Sequence, residues 1–73
     1  MSEFAAELRR GILEAQQASK EALEAGHPYE AYLHRARLAD LTDVAGHHGV
    51  DTAALIEPAM RQALAEDEAA RRP

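Results

Sequence analysis

Four histidines, His27, His34, His47 and His48, are the side chains of this chain best suited to chemistry. Asp43 and His47 stand four apart, so on a continuing helix both reach one ion, with His48 or Asp51 near the turn. A zinc or other transition-metal site needs three or four such ligands in fixed geometry. The established ligand spacings are absent, and Gly46 is placed to end the helix before His47. Asp43 and His47 are therefore expected to be solvated or to share a simple hydrogen bond, and neither metal nor cofactor is expected. His34 falls on an apolar stripe with Leu38 and Leu41. It is expected to be packed and hydrogen-bonded, with Glu30 as partner; the sharper alternative is a pH-sensitive contact in a dimer interface.

The parts for catalysis are sparse. There is no cysteine, few serines and no glycine-rich phosphate loop, so nucleophilic and nucleotide chemistry lack their usual groups. Asp40 and Asp43, three apart on a polar helix face, form a solvated surface more readily than an acid–base pair. No enzyme is expected. Tyr32 and Arg35, three apart, are residue types enriched at protein contacts, and they form one candidate interaction spot. Arg37 is expected to pair with Asp40.

With 73 residues, the chain has room for one domain, residues 1–73, and a thin core. Half of its apolar count is alanine. Disulfides are excluded, so a helical chain of this size needs unusually good packing, a metal or association to reach comfortable stability. Association is the expectation. The net charge of −5 is spread along the chain, and no segment has the basic footprint of a nucleic-acid binder. No apolar run approaches the roughly 20 residues that cross a bilayer, and Met1-Ser2-Glu3 lacks the basic, apolar start of a secretory signal. A cytoplasmic location is expected, with no membrane contact.

Three helix-sized pieces are separated by Ala25-Gly26-His27 and Ala45-Gly46-His47. Glycine just past a helix end suits a left-handed cap. The first helix is predicted from about Ser2, as N-cap, to about Ala25, its stripe carried by Phe4, Leu8, Ile12, Ala15, Ser19 and Ala22. Gly11 lies beside that stripe, where close backbone contact is one explanation and mere tolerance the other. The second helix spans about 28–46, opened by Pro28 at a position where its missing donor costs nothing. Its predicted buried side is Leu33, Leu38, Leu41, Val44 and Ala45. Asp51 is a natural N-cap for the third helix. Pro58 then either starts a fresh helix after a short turn at 52–57 or kinks a continuous one; the first reading is preferred. Glu57–Arg61, Asp67–Arg71 and Glu68–Arg72 are favourable pairs four apart, worth about 0.2–0.5 kcal/mol each.

Leu41 to Pro58 resembles a helix-turn-helix: Ala45, then Gly49 and Val50, with Leu55 beyond. His48 and Pro58 depart from that motif, and the would-be recognition segment, Asp51 to Glu57, has no Arg, Lys, Asn or Gln with which to read bases or hold phosphates. Residues 37–59 also resemble small uncharacterised actinobacterial helical proteins, through Arg37-Leu38, Asp40-Leu41, Ala45, His48-Gly49-Val50-Asp51 and Pro58-Ala59. That resemblance implies a helical fold and carries no activity.

The fold expected is an all-α, small three-helix bundle with a short extra helical turn before Pro58. The function expected is that of a non-catalytic protein–protein interaction module, an accessory or regulatory subunit completed by a second copy, as a homodimer, or by a larger protein. Leu8, Ile12, Leu41 and Met60 are the candidates for self-association, and Tyr32 with Arg35 for a partner. The alternative is an atypical helix-turn-helix DNA-binding regulator, although nucleic acid is a poor match for these charges.

Overall fold

A computed structural model describes residues 3–72. Helix α1 spans Glu3–Glu24, α2 spans Pro28–His47 and α3 spans Pro58–Arg71, with a single 3₁₀ turn at Ala53–Leu55 between the last two. The result is the expected three-helix bundle, without strands among the described residues. Ser2, the expected N-cap of α1, lies outside them.

The helix ends are set by local chemistry. At the end of α1, Gly26 adopts φ 81°, and the chain doubles back. The His27 N–H donates to the Ala22 carbonyl at 2.9 Å, and the Gly26 N–H to the Leu23 carbonyl at 3.1 Å. These bonds satisfy carbonyls that the helix itself leaves unpaired. Pro28 and Pro58 each occupy the first turn of their helix, where the proline ring is already set to the helical φ.

The second break differs from the expectation. Gly46 is helical, and Gly49 is the residue that turns left-handed, at φ 69°. Val50 N–H reaches the Ala45 carbonyl at 2.8 Å and Gly49 N–H the Gly46 carbonyl at 3.2 Å. This repeats the α1 cap one helix later, and it returns Val50 to the apolar interior beside Ala45. Asp51 accepts the Ala53 N–H at 3.0 Å, so it fastens the 3₁₀ turn and does not cap α3.

Opposite signs are expected for alanine at these two glycines. Gly49→Ala forces a side chain into the left-handed region, at a cost of about 1–2 kcal/mol. Gly46→Ala meets nothing within 4 Å and gains helix propensity, by about 0.5–1 kcal/mol. Chemical denaturation of the two variants measures both; a greater loss at Gly46 would contradict the cap.

Helices α1 and α2 run antiparallel, as three contacts at different levels establish. Phe4 meets His48 edge-on, with ring centroids 4.9 Å apart. A Cβ built on Gly11 would lie 3.3 Å from Leu41 Cδ1, so the expected close approach at this glycine is real. Ser19 Oγ donates to the Ala31 carbonyl at 3.2 Å. The core between the elements contains Leu8, Ile12, Ala15, Leu38, Ala45 and Met60, with Leu41, Val50, Leu55, Ile56 and Leu64 packed around it.

The buried side of α2 is rotated from the predicted stripe. Ala31, Leu38 and Ala45 are its buried residues, while Leu33 and Val44 are exposed. The cause is tertiary: α2 touches α1 along one flank and α3 along the other, through Arg35. The flank that carries Leu33 and Val44 is left exposed by the described residues.

Candidate interaction surface

Polar groups hold α3 and its leading turn against the α1–α2 pair. Gln16, buried on α1, donates from Nε2 to the Leu55 carbonyl at 3.0 Å. Its Oε1 accepts the Glu57 N–H at 2.9 Å. One amide thereby grips both sides of the bend before Pro58. Lys20 Nζ meets Glu57 at 3.0 Å in an exposed pair, which alone contributes little. Arg35 binds Asp67 with two parallel bonds, at 2.7 and 3.1 Å. The hydrogen bond to Asp67, opposed by partial burial, raises the Arg35 guanidinium above its ordinary value. Arg35 therefore stays charged throughout the working pH range.

These cross-links replace two of the helical pairs expected from spacing. Asp67 pairs with Arg35 in place of Arg71, and Glu57 with Lys20 in place of Arg61. Arg61 donates instead to the Ala53 and Ile56 carbonyls. The Glu68–Arg72 pair forms as expected, at 2.8 Å. Among the described residues no ion pair joins Arg37 to Asp40. Gln16 is legible only in part from the sequence: it follows Ile12 by four positions, which puts it on the buried stripe, but its carbonyl and N–H partners lie far along the chain.

Most of the interaction candidates serve the single chain. Leu8, Ile12 and Met60 are buried in its core, with Ile12 at 0% exposure, so they offer no surface to a partner. Leu41 is half-buried beside them. Tyr32 and Arg35 do come together, with the guanidinium carbon 5.9 Å from the ring centroid. Arg35 is engaged by Asp67, however, and this spot braces α3 in place of presenting a free cation.

The uncovered surface lies on the other side of the hairpin, and the Gly11–Leu41 contact locates it. On α1 the helical neighbours of Gly11, three and four positions away, are Glu7, Leu8, Glu14 and Ala15. On α2 those of Leu41 are Arg37, Leu38, Val44 and Ala45. Leu8, Ala15, Leu38 and Ala45 are buried in the cluster that Met60 of α3 joins, whereas Glu7, Glu14, Arg37 and Val44 are exposed. The exposed four therefore share the face opposite α3. Leu33 adjoins them, four positions before Arg37 and at 47% exposure, and Phe4 lies at one end at 45%.

No family model, curated protein or solved structure matches the chain. The surface must be read from its own chemistry. His47 Nδ1 donates to the Asp43 backbone carbonyl at 2.9 Å, the simple hydrogen bond expected, although the carboxylate is not the acceptor. Among the described residues no group of three or more His, Asp or Glu side chains is placed to hold a metal. His34 is half-buried without a bond to Glu30. Residues 51–57, aligned with a recognition helix in the helix-turn-helix resemblance, contain only the 3₁₀ turn. A shallow groove of about 810 Å³ runs between α2 and α3, lined by Thr42, Gly46, Val50, Ile56 and Leu64 together with charged residues of both signs. Among the described residues, no helix is long and apolar enough to cross a membrane.

Proposed function

We propose that this chain is a small protein–protein interaction module, an accessory or regulatory subunit that associates with a second copy of itself. The observation that supports the reading is the uncovered α1–α2 face, with Phe4, Leu33 and Val44 at 40–47% exposure. Among the described residues, only Ile12 and Leu38 of the larger side chains are fully enclosed. Small domains of this size gain stability by association, and burying three apolar side chains contributes about 25 cal/mol per Å² removed from water. The test is sedimentation equilibrium of the untagged protein over a wide concentration range. A reversible monomer–dimer equilibrium is the expected result. A folded monomer at every concentration would overturn the reading.

A further inference from the structure

We infer that the second copy covers the face opposite α3, about a two-fold axis parallel to the helices, with Glu14 of each copy paired with Arg37 of the other. This rests on the self-association proposed above and specifies its geometry. The antiparallel register supplies the argument. Gly11 stands level with Leu41, Ser19 with Ala31 and Phe4 with His48, so Glu14 on α1 and Arg37 on α2 occupy the same level. Both are exposed, and among the described residues neither makes an ion pair within the chain. They project from opposite edges of one face.

A two-fold axis along the helices keeps every level and exchanges the edges. It lays α1 over the partner's α2, antiparallel, and brings Glu14 against the opposing arginine twice. The same operation sets Glu7 near the level of Val44 and His48. Ala18, a small residue on the α1 side of the face, lets the opposing helix approach. Leu33 and Val44, on the same row of α2 as Arg37, then leave water against the partner's α1 in a four-helix arrangement. An isologous contact requires a self-complementary surface, and on this face Glu14 of α1 and Arg37 of α2 stand exposed at matching height.

The test is a charge reversal read by sedimentation equilibrium. Glu14→Arg and Arg37→Glu each place like charges together twice, and each is expected to weaken its homodimer about tenfold or more. An equal mixture of the two variants is expected to regain wild-type affinity, because the heterodimer restores both opposite-sign pairs. If the wild-type protein is monomeric throughout, self-association itself fails and this inference with it. If the wild type dimerises but the reversals leave it unchanged, or mixing restores nothing, the interface lies elsewhere and only this assignment fails. Should either reversal unfold the chain, E14Q and R37Q make the comparison: each is expected to weaken the dimer about threefold, and an equal mixture to recover part of the loss, because the heterodimer keeps one Glu14–Arg37 pair. Unchanged association in both would overturn the assignment.

Discussion

Leu38→Ala is expected to lower the unfolding free energy by about 3–4 kcal/mol. Leu38 is 0% exposed and lies in the cluster with Leu8, Ile12, Ala15, Ala45 and Met60, where all three helices contribute. Truncation removes the transfer free energy of the side chain and leaves a cavity that the rigid hairpin fills poorly; such changes cost about 2–5 kcal/mol. At about 0.05–0.15 kcal/mol per residue, that loss is a large share of the stability of a chain of this length. Urea denaturation followed by circular dichroism measures the loss. Leu23→Ala is the control: at 59% exposure, it is expected to stay within about 0.5 kcal/mol of the wild type. Equal effects at the two leucines would mean that Leu38 is not the centre of the core.

The contrast between these leucines shows what is legible in the sequence. Helix starts at Pro28 and Pro58 and the turn at Gly26 are local events, decided by one or two residues whose backbone preferences are strong. They read directly. The choice between Gly46 and Gly49 is harder, because both are glycines and the deciding element is Val50, whose return to the core fixes where the cap closes. The flank of α2 is not legible. Leu33 and Val44 fit its apolar stripe as well as Ala31 does, and only the position of α3, anchored by Arg35 and Asp67 across 32 positions, determines which flank is covered.

The same tertiary dependence explains the fate of the site residues. Leu8, Ile12 and Met60 stand out in the sequence as apolar, and they are apolar because the chain's own interior needs them. An interface must use what remains after the core is closed. Here that is the edge of the predicted stripe, Leu33 and Val44, with charges on either side. Such positions are ambiguous by pattern alone, since a half-exposed leucine beside an arginine has no distinguishing period.

Gln16→Leu is expected to cost about 2–3 kcal/mol and to loosen α3 more than the hairpin. The substitution nearly conserves volume and adds apolar surface at a residue only 4% exposed, so packing alone would make it neutral. The two hydrogen bonds decide otherwise. Without the amide, the Leu55 carbonyl and the Glu57 N–H lose their partner, and a partly buried unsatisfied group costs about 1–3 kcal/mol. Both groups belong to the bend that sets the direction of α3. Amide hydrogen exchange should therefore accelerate along Pro58–Arg71 while protection of α1 and α2 changes less, since local opening begins at the weakest attachments. Gln16→Glu sharpens the point: a carboxylate still accepts the Glu57 N–H but has no proton for the Leu55 carbonyl, so it should recover only part of the loss. Unchanged exchange in α3 with Gln16→Leu would instead assign its attachment to Met60 and the Arg35–Asp67 pair, with the glutamine a passenger in the core.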